Sequence, residues 1–444
     1  MYYFKSTIPK KQEIIIIFLN ITNMKLRSLF LASLAAMTMV SCSNENDPIN
    51  NGGEGEKNAT LLFSIGVPAT RATAGGTEEG TASEQTFNTA EVKVKYSNGT
   101  TAQFSFTTND FDKNSSVYTL KNAKKMVVGA DANATVYVTI NGGEEVSETA
   151  TKTADYDANA SITTGIAAAN NFLMSGSATC AITAGITNNV KVTVNRVAAK
   201  ISEESTATST SEFTFKTDYR VDGVTVSTEE ETMTATIKGY ALYNLNKATN
   251  VFASTTFATA DFFKSITFNK DNKVEYANFV NRTIGDGSTG AYTYCTENNS
   301  VANPTAIIYK VTYTYGNGNA TNSFFTQKKE DGKTVLYKDF ETLNKDNSQA
   351  FSAQGLTATS TYDEFIKVGV VKYEAGVAYY LKNIETAGQT NAMIVRNNVY
   401  KLNVSKIGGL GKAVIDETTP GDPTYLTLNV TVAQWTINLN SFEL

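Results

Sequence analysis

Apolar and polar residues alternate along much of this chain, and two stretches near its ends carry the pattern most cleanly. In the run YLTLNVTVAQWTINLNSFEL, residues 425–444, the apolar positions are Leu426, Leu428, Val430 and Val432, with polar residues between them. That is the period-2 signature of a half-buried strand. The phase slips at Ala433–Gln434, and Trp435, Ile437 and Leu439 then carry the apolar positions. A bend or bulge between two strands is predicted at the slip. Near the other end, Leu61, Phe63, Ile65 and Val67 alternate with Leu62, Ser64 and Gly66, and Arg71 follows in the loop-like run PATRATAGG.

The same period recurs between these ends. Val92, Val94 and Tyr96 lead through Ser97-Asn98-Gly99 to Phe104 and Phe106, and Asn-Gly between alternating runs predicts a hairpin. Val136–Ile140, Val190–Val194 and Ala306–Tyr315 read as further strands, and the run 239–252 as a strand and turn. Val368–Tyr373 and Val377–Ile384, on either side of Glu374-Ala375-Gly376, read as a second hairpin. Residues 144–171 read as loop with room for a short helix, and 341–366 as room for another. Strands at this spacing predict an all-β chain of two β-sandwich domains rather than a parallel α/β fold. The boundary falls before the polar run SEESTATSTSE, giving domains over 60–200 and 201–444.

Residues 1–41 read as a signal segment. Met24 opens MKLRSLFLASLAAMTMVSC, so residues 1–23 are expected to lie upstream of the true start. Lys25 and Arg27 form a positive n-region, and Leu29–Val40 is an apolar core too short to span a bilayer. It ends at Met39-Val40-Ser41-Cys42, a bacterial lipobox with Met39 in place of the usual Leu, which makes Cys42 the expected lipidation site. Residues 42–59, polar, acidic and Gly-rich, read as a flexible tether.

Composition narrows the function. Of 444 residues 18% are charged and the net charge is −5, which gives no footprint for nucleic acid. The absence of any His removes the usual general base and the commonest metal ligand. Cys42, Cys180 and Cys295 have no metal-site spacing; the last two are a possible pair or two buried thiols. Gly408-Gly409-Leu410-Gly411-Lys412 lacks the spacing and the Ser or Thr of a phosphate loop and reads as a turn. The acidic run Glu229–Glu231 reads as a solvated face. Asn269 and Asp271 begin a calcium-loop pattern that Lys273 and Val274 break. No cofactor, metal site or enzymatic centre is expected.

FLMSGS at 172–177, VTVNRVAAKI at 192–201, YCTEN at 294–298, GVAYYLKNI at 376–384 and IVRNNVYKLNVSKIGGLG at 394–411 together resemble the Bacteroidales fimbrillins, subunits of type V pili, with the minor-fimbrillin branch nearest. The likeness implies two transthyretin-like sandwiches. It also implies export as an outer-membrane lipoprotein, palmitate among its acyl groups, with Cys42 at the lipidated position. A trypsin-like or Arg-specific protease would cut between Arg71 and Ala72 and remove the strand Leu61, Phe63, Ile65, Val67. The emptied slot would take a strand from the next subunit, with Leu428, Val430, Val432, Trp435, Ile437 and Leu439 of residues 425–444 as donor. Partners implied are further copies, accessory fimbrial subunits and host or bacterial surface ligands.

Elementary physics agrees with that mechanism. Removing a strand leaves unpaired backbone groups and an apolar slot, which an incoming strand refills. A head-to-tail joint of this kind need not close, so it builds a filament. Arg71 also reads as an ordinary exposed loop arginine, but the next basic residues are Lys57, before the strand, and Lys93, inside a predicted one. Two other readings stand beside a stalk subunit. One is a glycan-binding surface lipoprotein that never polymerises; the other is an anchor or tip subunit, which would lack the Arg cut or the donor strand respectively.

Overall fold

The computed structural model describes residues 59–436 apart from 67–76, 115–116, 126–129, 144, 207–210, 222–223, 270–273, 282–291, 316–322, 330–331, 333, 386–391 and 416–425. Cys42, Val67, Arg71, Ala72, Ile437 and Leu439 lie outside the described residues. The fold is all-β, as the alternation predicts.

The first half contributes β1 (Thr60–Gly66), β2 (Thr77–Glu79), the short helix α1 (Ala82–Gln85), β3 (Thr89–Lys95), β4 (Thr101–Thr107), β5 (Phe111–Asn114), β6 (Val117–Leu120), β7 (Lys124–Lys125), β8 (Asp131–Ile140), β9 (Thr151–Thr153), β10 (Met174–Ile182), β11 (Thr187–Thr193) and β12 (Asn195–Arg196). One sheet runs β11-β1-β6-β5, with β7 also on β1; the other runs β12-β10-β8-β3-β4. Their facing side chains, among them Phe63, Val92, Val138 and Val192, form one buried core. The predicted hairpin is β3–β4, with Gly99 at the positive φ that its turn requires.

The second half contributes β13 (Ala199–Glu203), β14 (Ser211–Val221), β15 (Val224–Tyr243), β16 (Ala248–Asn250), β17 (Tyr292–Cys295), β18 (Ala306–Tyr315), β19 (Phe324–Lys328), β20 (Thr334–Tyr337), α2 (Phe340–Gln354), α3 (Tyr362–Ile366), β21 (Val370–Tyr373), β22 (Val377–Asn383), β23 (Asn398–Ile407) and β24 (Leu426–Thr436). Sheet β2-β24-β23-β13-β17 faces sheet β14-β15-β18-β22 across a core that includes Ile201, Ile237, Tyr309 and Leu402. Ala199 and Lys200, placed by the sequence pattern at the end of the first domain, therefore belong to a sheet of the second sandwich. β20-β19-β21 and the two helices enclose a third small core around Phe325, Phe351 and Phe365. α2 starts on Asp339, whose side chain accepts from the Thr342 N–H, and ends on Gly355 in the left-handed region.

Two sequence expectations change. Val370–Tyr373 and Val377–Asn383 do not pair with each other: β21 pairs β19 and β22 pairs β18. The turn residues between them are as expected, but each strand finds its partner elsewhere in the chain. The slip at Ala433–Gln434 is neither bend nor bulge, since Ala433↔Val399 and Gln434↔Asn398 continue the ladder unbroken. β24 instead serves two cores. Leu426 is buried in the second core, with Leu428, Val430 and Val432 packed against it from the same face. Ala433 and Trp435, on the opposite face, belong to the first.

Candidate functional site

β1 is an interior strand, although it is the first of the described strands. It pairs in parallel with β11 along its whole length, from Thr60↔Thr187 to Gly66↔Thr193. On its other side it pairs antiparallel with β6 and β7. The ends are tied as well, by Thr60 N–H to the Ile186 carbonyl at 3.2 Å and Val194 N–H to the Gly66 carbonyl at 3.0 Å. Leu61, Phe63 and Ile65 are buried, and the Phe63 ring lies 5.9 Å from Phe104 and 6.2 Å from Phe106. At about 1.5–3 kcal/mol per side chain, this face is worth at most roughly 5–9 kcal/mol. Taking β1 out would uncover two strand edges and open the first core. The next described strand, β2, already lies in the second sandwich, so residues 67–76, which hold Arg71 and Ala72, join the two.

The C-terminal strand is fastened at its far end. β2 pairs in parallel with residues 434–436 of β24 and β23 pairs on the other side. Trp435, the only tryptophan in the chain, is fully buried. Its ring stacks on Tyr294 at 5.7 Å and meets the edge of Phe172 at 5.8 Å. Arg196, also fully buried, sets its guanidinium carbon 4.3 Å over the indole and donates to the Trp435 carbonyl at 3.1 Å. Its Nε donates to the Glu84 carbonyl at 3.0 Å. The close fit requires Gly80, where a Cβ would lie 2.2 Å from the Arg196 Nη2.

Glu84 supplies the opposing charge. Its carboxylate accepts from Lys200 Nζ at 3.2 Å, from the Tyr294 hydroxyl and from the Thr81 N–H at 2.7 Å. Burial pushes this carboxyl up, but the three donors outweigh burial and hold it below its ordinary 4.5. Burial draws the Arg196 guanidinium down to about 9 against the pull of Glu84 and Tyr294, so it stays a cation at neutral pH. Because the folded Glu84 titrates below its unfolded value, the stability it adds is complete above pH 4.5 and is lost as pH falls through the folded value. The melting temperature is therefore expected to drop below pH 4.5, with Trp435 fluorescence following it. Glu84→Gln should be less stable at neutral pH and lose less across the same acid range, with Asp110, Asp131, Glu148, Glu364 and Glu374 keeping their share of the slope; an unchanged slope would remove Glu84 from the transition.

Four of the five motifs that carry the family resemblance meet at this seam. FLMSGS provides Phe172, NRVAAK provides Arg196 and Lys200, and YCTEN provides Tyr294. Glu297 of YCTEN pairs with buried Arg396 of IVRNN at 2.6 Å, and Arg396 also donates to the Val251 carbonyl at 2.8 Å. There β9 of the first half pairs with β16 of the second. The glycine turn is structural: the Gly409 carbonyl accepts from Tyr313 and Tyr380, and a Cβ on Gly411 would lie 2.6 Å from the Tyr379 carbonyl. Cys180 and Cys295 form no disulfide; both are buried, in different cores.

Of the donor residues expected from sequence, Leu428, Val430, Val432 and Trp435 are held in the subunit's own β24. The pairing of Glu84 with Arg196, Lys200 and Tyr294 went unassigned in the sequence reading. Its one local signal is Thr81-x-x-Glu84, a helix-start pattern.

Residues 371–441 match the family model described as major fimbrial subunit protein type IV, fimbrillin, C-terminal. No curated protein matches the sequence. Among solved structures, the chain is similar to a candidate cell adhesion protein from Bacteroides eggerthii, at 16% identity over 88% of this chain and 99% of that one, TM-score 0.44. It is similar to another from Parabacteroides distasonis, at 13% over 86% and 100%, TM-score 0.45. A third is the tip fimbrial protein Mfa3 from Porphyromonas gingivalis with C-terminal truncation, at 12% over 85% and 100%, TM-score 0.39.

Proposed function

We propose that this chain, which belongs to the fimbrillin family through its C-terminal segment, is a structural subunit of a surface fimbria, assembled by strand exchange. It is exported as a lipoprotein on Cys42, held at the outer membrane, and cut between Arg71 and Ala72 by a trypsin-like or Arg-specific protease. Cleavage frees β1, and a neighbour's C-terminal region fills the slot. The finished filament is extracellular and serves adhesion.

The observation that carries this reading is the position of β1. The first described strand lies in the interior of a sheet, paired on both sides, and its onward connection contains the only basic residue between β1 and β2. Such a strand is removable by one cut and leaves a slot with two open edges. The cis placement of β24 refines the donor. Residues 426–436 act as its root, and residues from Ile437 onward, with Leu439, enter the neighbour. The slot lacks a strand of seven residues, and 437–444 are enough to fill it.

Arg71→Ala is expected to leave full-length, lipid-bearing monomers at the outer membrane. The ladder of polymer in unboiled surface material should vanish; a normal ladder from this variant would sink the cleavage step. Deleting 437–444 should leave a folded, cleaved subunit that accepts a strand but donates none.

A further inference from the structure

Arg196 stands where the wall of the slot becomes the seam. β11 lies beside β1 over its whole length, so any strand in the slot pulls against β11. Directly after β11 the chain crosses to the facing sheet, so close to Gly176 that a Cβ there would lie 1.9 Å from the Thr193 carbonyl oxygen. It then pairs Asn195 with Ser175 and Arg196 with Met174. At that point it is gripped from the other end of the molecule. Arg196 Nη1 donates to the Trp435 carbonyl at 3.1 Å, and the Arg196 N–H donates to Asn397 Oδ1 at 3.2 Å. Asn397 in turn donates Nδ2 to Asn195 Oδ1 at 3.1 Å, and its carbonyl accepts from the Trp435 N–H at 3.1 Å. Asn397 has φ 55°, a left-handed conformation that asparagine tolerates better than most residues. Few residues and a handful of hydrogen bonds thus separate the slot wall from the root of the C-terminal strand. A parallel route through the sheet is also short, since the Ala198 carbonyl accepts from the Asn397 N–H at 2.8 Å and Lys200↔Val399 and Val399↔Ala433 link β13 through β23 to β24. Arg196 adds a side-chain bond straight to the Trp435 carbonyl.

We propose that Arg196 is a positioning residue for strand exchange. It ties the slot wall to the root of β24, so that tension along a filament passes from the occupied slot through Arg196 and Asn397 to Trp435, bypassing the core of the second sandwich. The setting of this proposal rests on the strand-exchange reading, but its test does not, because β1 occupies the slot in the uncut chain.

The experiment holds the uncut, unlipidated chain by handles fused at its two ends under constant load. In the native chain the first step in extension is expected to be extraction of β1. In Arg196→Met it becomes release of β24 at Trp435, with a lifetime about tenfold shorter, the factor expected when hydrogen bonds from a charged donor are lost. Ile307→Ala, a cavity in the second core, lowers the melting temperature without altering the first step or its lifetime. The proposal is overturned if Arg196→Met yields by the native first step with the native lifetime. It is equally overturned if both variants shorten that lifetime in proportion to their loss of thermal stability. Should Arg196→Met fail to fold, Arg196→Lys, which keeps the cation and stem but not the forked donor, is held in its place with the same outcomes. Polymer formed by Arg71→Ala would count against the preceding proposal and leave this one standing.

Discussion

Trp435→Ala is expected to remove about 3–5 kcal/mol of stability, the range for deleting a large buried aromatic. The loss has three sources. The indole is fully buried between Phe172 and Tyr294, so its loss leaves a large cavity between them. The Arg196 guanidinium loses the ring face 4.3 Å below it, a cation–π contact of about 2 kcal/mol where water is excluded. The short strand β2, paired only with residues 434–436, loses the side chain beneath its partner. Against a total of about 5–15 kcal/mol for an ordinary domain, that is a large share. Denaturant titration of the intact chain measures it, read by circular dichroism because the variant has no tryptophan. Trp435→Phe should recover part of the loss. A change under about 1 kcal/mol would mean that the C-terminal strand is not docked in solution, and the root assigned to β24 would go with it.

The contrast between β1 and Trp435 shows what the sequence could and could not disclose. Leu61, Phe63 and Ile65 alternate with more exposed neighbours on one strand facing one core, so period alone predicts their burial. β24 breaks the period at Ala433 while the backbone continues undisturbed. Its apolar positions change face because the strand leaves one core and enters another. β23 does the same between Val399, in the first core, and Tyr400, in the second. A slip in phase therefore has two physical origins, a bulge or a change of partner, and one sequence does not separate them.

Charge was legible only as composition. Nothing local distinguishes Arg196, fully buried against Trp435, from an arginine on a solvated strand, because its partners are Glu84 and Trp435, far away in the chain. The β3–β4 turn was legible for the opposite reason: Asn98-Gly99 and the strands beside it are adjacent in sequence. The turn at Glu374-Ala375-Gly376 was equally local, but the partners of β21 and β22 were not.

Cutting after Arg71 and stripping away β1 is expected to cost the first sandwich most of its stability until a strand is returned. Leu61, Phe63 and Ile65 alone account for roughly 5–9 kcal/mol as an upper value. The backbone groups of β11 and β6 that pair with β1 lose their partners as well. The stripped subunit should bind a hydrophobic dye and lose hydrogen-exchange protection along Thr187–Thr193, while the core around Ile237 and Tyr309 stays protected. Adding a peptide of residues 60–67, or one of 437–444, should restore protection to β11. The first peptide with Phe63→Asn should fail, since it would bury an unpaired amide beside Phe104 and Phe106. Both peptides should leave slowly, because each closes two strand edges at once. A stripped subunit that keeps native protection at Val190 and Val192 without any peptide would have closed its own slot. A subunit that closes its own slot has nothing to accept from a neighbour, and strand exchange would have no physical basis here.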